Sequence, residues 1–106
     1  MSTIVDKIGV PALLEQTAEE CCELAQACLK MARKLRDENP TPKSIEDIRD
    51  NLVEEMADVL ICIDMIGSET KLYNEFKLGL CMVEKRDRWE KRLGLSIDLE
   101  DENESV

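Results

Sequence analysis

Two pairs of acidic residues have the spacing of one helical turn: Glu20 with Glu23, and Glu55 with Asp58. Residues three positions apart share a helix face, so each pair would present two carboxylates side by side. Both pairs interrupt apolar runs, where a carboxylate is costly unless a cation balances it. Carboxylates about 5 Å apart repel by roughly 3 kcal/mol at an effective dielectric near 20, so four together need either protons or a cation. The pattern predicts a divalent-metal site.

The chemistry of the ligands narrows the choice of metal. Four carboxylates offer only oxygen atoms, which favour Mg²⁺ or Mn²⁺ over zinc or copper. The chain contains no histidine. This absence excludes the Glu-x-x-His ligation of di-iron bundles and any histidine-based zinc or nucleophilic chemistry.

Three helices are predicted to position these residues, at about 11–35, 44–66 and 72–94. Pro11 fits the first turn of a helix, Ser44 fits an N-cap, and residues 1–9 look like a short lead-in. The longest of the three, 11–35, has two apolar rows. We expect the more regular row to be the buried one and the second row to widen it.

The regular row alternates steps of four and three residues and consists of Leu14, Ala18, Cys21, Ala25, Cys28, Ala32 and Leu35. The flanking row consists of Leu13, Leu24, Ala27 and Met31, and Glu20 falls on it. On the second helix, Glu55 lies within an apolar stripe formed by Ile48, Leu52, Val59, Cys62 and Ile66. A position that faces the core therefore carries a charge.

Composition favours a single all-α domain, an antiparallel helical bundle of three to four helices over residues 1–96. The chain has 106 residues, of which 43% are hydrophobic and only 3% aromatic. Residues 97–106 form an acidic tail that we expect to be disordered. Because so short a chain cannot cover broad apolar helix faces alone, we expect it to oligomerise.

Charge and hydropathy exclude several classes of partner. A net charge of −10 argues against binding the phosphate backbone of nucleic acids. The longest apolar stretch, 56–66, is interrupted by two aspartates and is shorter than the roughly 20 residues of a membrane span. The five cysteines form no Cys-x-x-Cys motif, and we expect reduced core thiols in a cytoplasmic protein.

Other interpretations of the same residues remain open at this point. Glu20 and Glu23 alone would fit a solvated helix edge, and Glu55 with Asp58 would fit a buried ion pair with a basic residue. Basic residues of the third helix would equally form a solvated face with intrahelical ion pairs. Trp89 is more typical of a core or interface than of a base-stacking platform.

The two acidic segments together resemble a known family. Glu-Glu-Cys-Cys-Glu at 19–23 and Glu-Glu-Met-Ala-Asp at 54–58 are similar to the Glu-Glu-x-x-Glu and Glu-x-x-Asp signature of the MazG-like all-α nucleoside triphosphate pyrophosphohydrolases. The resemblance covers roughly residues 13–66. It implies a helical bundle, assembled as a homodimer or homotetramer, that hydrolyses a ribo- or deoxyribonucleoside triphosphate to the monophosphate and pyrophosphate. The role that this implies is nucleotide-pool housekeeping.

The resemblance also implies roles for individual residues. The ligands of Mg²⁺ would be Glu20, Glu23, Glu55 and Asp58, and Glu23 or Glu19 would accept the proton of the attacking water. On charge alone, Lys30, Lys34, Lys85 and Arg88 would meet the remaining phosphate charge where an adjacent chain or helix brings them close. The alternative from another class is a non-catalytic helical oligomer that regulates or sequesters a protein partner and shows no dependence on metal.

Overall fold

Helices form nearly all of the regular structure in the computed structural model, which describes residues 2–37 and 43–95. Within these ranges the helices are α1 (Ile4–Ile8), α2 (Val10–Arg36), α3 (Ile45–Glu69) and α4 (Glu75–Arg92), and there is no strand. The predicted all-α class is therefore confirmed. The predicted acidic tail at 97–106 lies outside the described residues.

The predicted lead-in at residues 1–9 contains a short helix, α1, with a complete capping box. The Thr3 hydroxyl accepts a hydrogen bond from the Asp6 amide, and the Thr3 amide donates to the Asp6 carboxylate, both at 3.0 Å. Gly9 then separates α1 from α2 with a φ of 85°, a left-handed conformation that favours glycine. Its amide donates to the Val5 carbonyl at 2.8 Å, which closes α1.

The long helices begin and end close to the predicted positions, because their termini carry the expected signals. Pro11 lies in the first turn of α2, and Ser44 Oγ caps α3 by accepting from the Asp47 amide at 3.2 Å. Asp37 ends α2 in the left-handed conformation. Asn74 Oδ1 caps α4 by accepting from the Lys77 amide at 2.7 Å.

The chain divides into two compact units, Met1–Leu72 with α1, α2 and α3, and Tyr73–Val106 with α4. In the first unit α2 packs against α3. The backbone amide of Val5 donates to Glu69 Oε1 at 3.3 Å, so the end of α3 lies beside the start of the chain. The α2–α3 pair is therefore an antiparallel hairpin.

The buried residues show which face of α2 meets α3. Leu13 and Ala27 are each only 1% exposed, whereas Leu14 is 43% and Leu35 is 68% exposed. The row predicted to be the principal buried face is thus mostly exposed, and the buried residues of α2 come from the flanking row. On α3 the buried residues are Ile48, Val59 and Cys62, all from the predicted stripe.

Candidate metal centre

Two acidic residues occupy the centre of the seam between α2 and α3. On α2, Glu20 lies seven residues from both Leu13 and Ala27, which are buried. On α3, Glu55 lies seven residues from both Ile48 and Cys62, which are also buried. Seven residues are almost two full turns, so each glutamate faces the seam between two apolar contacts. Packing of the apolar residues therefore brings the two carboxylates toward each other.

The second member of each pair completes a cluster of four carboxylates, Glu20, Glu23, Glu55 and Asp58. Each offers one oxygen atom, and these four atoms lie within 4.8 Å of one another. Glu20 and Glu55 are half-buried, whereas Glu23 and Asp58 are exposed. The cluster thus has a shielded inner half and an outer half that solvent or a ligand can reach.

The inner carboxylates each have one oxygen atom without a partner. Glu20 Oε1 accepts a hydrogen bond from Gln16 Nε2 at 2.7 Å. Glu20 Oε2 and Glu55 Oε2 are shielded from solvent and accept no hydrogen bond from the described residues. A carboxylate oxygen in this state is costly unless it is protonated or meets a cation.

The electrostatic surroundings of Glu20 shift its proton affinity. The hydrogen bond from Gln16 lowers the pKa of Glu20, but desolvation and the charges of Glu23 and Asp58 raise it, as does a hydrogen bond with Glu23. The net result is a pKa above the ordinary value for a glutamate. The raised pKa has the causes expected for a group of like charges that lacks a counter-ion.

These observations fit a hard divalent cation. The donor set consists of carboxylate oxygens alone. Two of its four carboxylates, those of Glu20 and Glu55, each have a buried oxygen without a partner. No described basic residue donates to Glu55 Oε2, so the structure does not support the alternative of an ion pair for that oxygen. An all-oxygen cluster of this kind suits Mg²⁺ or Mn²⁺.

The other predicted site residues lie outside the cluster. Glu19 is an exposed neighbour of Glu20 on α2 and contributes no oxygen atom to the group of four. Lys30 and Lys34 follow Glu23 along α2 by roughly 10 and 16 Å of helix rise. Lys30 is exposed and Lys34 is half-buried.

Lys85 and Arg88 belong to α4 in the second unit, where they line a shallow groove together with Trp89. The ion pairs described on this helix join Arg86 to Glu90 at 2.8 Å and Lys91 to Asp87 at 3.0 Å. Neither ion pair includes Lys85 or Arg88. The predicted solvated face with intrahelical pairs is therefore present, but it is formed by other residues.

Two predictions about apolar side chains need correction. Cys21, Cys22 and Cys28 are exposed, so only Cys62 and the half-buried Cys81 match the predicted core thiols. Trp89 is 62% exposed and is not part of the core described for this chain. The interface role predicted for Trp89 stays a prediction.

Gln16 is a member of the site that the sequence analysis missed. It precedes Glu20 by four residues on α2, so its amide reaches the carboxylate across one helical turn. This spacing was visible in the sequence. A Gln four residues before a predicted ligand is an available signal for a residue that orients the ligand.

Comparison with models of known protein families, with curated proteins and with solved structures finds no match to this chain. Within the described residues, no helix is long and apolar enough to cross a membrane. The site must therefore be interpreted from its own geometry and from the acidic signature.

Proposed function

We propose that this protein is an Mg²⁺-dependent nucleoside triphosphate pyrophosphohydrolase of the MazG-like kind. The reaction converts a ribo- or deoxyribonucleoside triphosphate and water to the monophosphate and pyrophosphate. The observation that carries the proposal is the cluster of four carboxylates with two buried oxygens lacking a partner. Its residues are those of the acidic segments in which the sequence resembles that family.

The inner and outer carboxylates of the cluster would have different roles in binding a metal that also contacts substrate. Glu20 and Glu55 would hold the ion from the shielded side of the seam, while Glu23 and Asp58 would hold it from the exposed side. Bound Mg²⁺ supplies neutralisation of phosphate oxygens and a lower pKa for the attacking water. Because Mg²⁺ is usually held by few protein groups, positions remain for substrate phosphates.

The chain also has to remove a proton from the attacking water. The water oxygen forms a bond to the α-phosphorus, the bond from that phosphorus to the oxygen of the β-phosphate breaks, and pyrophosphate leaves. Glu19 is the better candidate for the base, because its carboxylate is not one of the four that form the cluster. Glu23, the other candidate, would act both as ligand and as base.

Basic residues would meet the remaining charge of the triphosphate. Lys30 and Lys34 lie on α2 beyond the cluster and would donate charge-assisted hydrogen bonds to phosphate oxygens. Lys85 and Arg88 lie on α4 and would do the same where an adjacent chain or helix brings them close. We further propose that the protein acts as a homodimer or homotetramer in the cytoplasm, where nucleotides and Mg²⁺ are both abundant.

The decisive experiment measures pyrophosphate released from a panel of ribo- and deoxyribonucleoside triphosphates, with Mg²⁺ and with a chelator. We expect release that requires the metal, that is abolished in Glu55→Gln, and that persists in Glu54→Gln. Glu54 is the matched control, because it is the exposed neighbour of Glu55 and no member of the cluster.

Other outcomes of this experiment would each redirect the assignment. Nucleotide binding without release, for every substrate of the panel, would indicate a metal-binding relative that lacks activity. Absence of both release and binding, together with no effect of Mg²⁺ on the melting temperature, would favour the non-catalytic oligomer that regulates a protein partner.

A further inference from the structure

A second apolar row on α2 remains exposed after α2 has packed against α3. We call it the open stripe and define it as Leu14, Ala18, Cys21, Ala25, Cys28, Ala32 and Leu35. All of these residues are exposed except Ala32, which is half-buried. Large apolar side chains at both ends are substantially uncovered, with Leu14 at 43% and Leu35 at 68% exposure.

The open stripe continues onto α3 as one apolar face. At about 100° per residue, the stripe lies roughly a quarter of a turn from the row of α2 that meets α3. Val53, Met56 and Leu60 lie rotated by a similar angle, in the same direction, from the buried row of α3. Because the two helices are antiparallel, equal rotations bring both sets to the same side of the hairpin. These three α3 residues are between 45% and 60% exposed.

The order of residues in the stripe is a palindrome. Read in either direction it is Leu, Ala, Cys, Ala, Cys, Ala, Leu, with Ala25 at the centre. Two copies of α2 that cross antiparallel at Ala25 therefore place leucine against leucine, alanine against alanine and cysteine against cysteine. Alanine at every seventh residue also lets two helices approach to the short end of the usual 8–10 Å range.

The distribution of charge along α2 selects the same orientation. The N-terminal half, up to Glu23, has four glutamates and no basic residue. The C-terminal half, from Lys30, has four basic residues and no acidic one. An antiparallel second copy aligns each acidic half with a basic half, for example Glu15 with Arg33 at the rim, whereas a parallel copy would align like charges.

The area of this face suffices for a stable contact. The stripe spans 21 residue steps, roughly 30 Å of helix, and the hairpin is two helices or roughly 20 Å wide. Two copies would then cover roughly 1,200 Å² in total, the lower bound for specific and stable interfaces. Both the size and the self-complementarity of the face point to a second copy of the same chain.

We infer that the open stripe is a homodimer interface in which α2 packs antiparallel on α2 of the partner subunit, with Ala25 at the two-fold axis. Cys21 then faces Cys28 of the partner subunit, and the equivalent pair forms on the other side of the axis. This contact lies about a quarter turn from the carboxylate seam, so it exists whether or not the cluster binds a metal.

Cysteine cross-linking tests the orientation directly. Three variants are compared, all of which carry Cys22→Ser, Cys62→Ala and Cys81→Ala. The first retains both Cys21 and Cys28, the second retains only Cys21, and the third retains only Cys28. Oxidised glutathione accepts two electrons from two thiols, which join as a disulfide while two reduced glutathiones leave. We expect a covalent dimer only when both cysteines are present. Two copies of Cys21 would be offset by about 12 Å along the helix axis and two copies of Cys28 by about 9 Å, both beyond the roughly 7 Å limit between Cα atoms.

Comparable cross-linking of either single-cysteine variant would overturn the antiparallel register, because a parallel pairing joins like residues. Failure of the variant with both cysteines to cross-link would overturn it as well. These readouts use no nucleotide and no metal, and they are therefore separate from the test of the proposed activity.

Sedimentation analysis tests the interface itself. We expect the wild-type chain to sediment as a dimer or as a multiple of dimers, and Ala25→Glu to sediment as a smaller species with unchanged helix content. Gln26→Glu is the matched control, because it adds the same charge at the next, exposed position outside the stripe. A monomeric wild type would overturn the inference. A monomer that Ala25→Glu destabilises would mean that another part of the same chain covers the stripe.

Discussion

Glu55→Gln should make the metal-free protein more stable while removing its response to metal. The side chain keeps its size and its polarity, but the variant loses one of four carboxylates whose oxygens lie within 4.8 Å. At that distance two unit charges repel by about 1 kcal/mol in water and by about 3 kcal/mol at an effective dielectric near 20. The value in water applies to the repulsion of Glu55 by Glu23 and by Asp58, because both of these neighbours are exposed.

Counting only these two exposed neighbours, the substitution relieves about 2 kcal/mol of repulsion in the metal-free state. A gain of 1 kcal/mol raises the melting temperature of a domain of this size by about 4 °C or more. We therefore expect the chelated variant to melt several degrees above the chelated wild type. Wild type should gain about 2.7 kcal/mol when Mg²⁺ is present at 100 times its dissociation constant, and the variant should gain far less.

The assay is thermal unfolding followed by circular dichroism, with chelator and across a Mg²⁺ titration. Glu54→Gln is the control, since it lowers the net negative charge by the same amount outside the cluster. A chelated Glu55→Gln that melts below the wild type would refute the reasoning, because the carboxylate would then be making a favourable contact. An undiminished Mg²⁺ response in that variant would remove Glu55 from the site.

Three further predictions use the same assays. The pKa of Glu20 is raised in the folded state. The stability that protonated Glu20 contributes is therefore complete below the ordinary glutamate pKa and is lost as the pH rises through the raised folded-state pKa. The melting temperature measured with chelator should fall over that pH range, and Glu20→Gln should reduce this fall. Glu19→Gln should lower kcat by about 10²–10⁴-fold and keep the Mg²⁺-induced melting shift, whereas Glu23→Gln should lose both; loss of the shift in Glu19→Gln would make it a ligand. Thr3→Ala should cost about 1 kcal/mol by removing the cap of α1, with Ser2→Ala as the neutral comparison; equal melting of the two variants would contradict a stabilising role for α1.

The extents of α2 and α3 could be predicted because their termini carry local signals. Proline at the start of α2 and serine at the N-cap of α3 act through their own backbone geometry and hydrogen bonds, with no help from distant residues. The two acidic pairs could also be predicted, since helical spacing alone puts each pair on one helix face. That the two faces meet depends on how α2 packs against α3, which helical spacing does not determine.

The buried face of α2 could not be predicted from regularity, because the helix has two apolar rows. The open stripe has the better heptad pattern, yet the row with Leu13 and Ala27 is the one that meets α3. A pattern shows that a row will be covered and does not show which neighbour covers it. The position of Glu20 midway between Leu13 and Ala27, like that of Glu55 between Ile48 and Cys62, was the signal that identified the seam.

The short helix α1 was missed for a different reason. Five residues are too few to show a helical period, and in isolation so short a helix is unstable. Its evidence in the sequence is the Thr-x-x-Asp pattern of a capping box at residues 3–6. The buried Val5 and its amide contact with Glu69 then hold α1 against the rest of the first unit.

The arrangement of α2 explains why a metal and a second copy would both be needed. Within the described residues the set of buried apolar side chains is small, namely Val5, Leu13, Ala27, Ile48, Val59 and Cys62. Carboxylates occupy the middle of the α2–α3 seam, so their repulsion opposes packing there, and a bound cation would relieve it. The open stripe has no such repulsion, but its apolar side chains are exposed and would be stabilised by a partner that covers them. Because the two contacts use different faces of α2 and share no side chain, we expect their stabilising effects to be additive. Mg²⁺ should therefore raise the melting temperature of the Ala25→Glu variant about as much as that of the wild type, and a metal response that disappears with the dimer would show that the two faces are coupled.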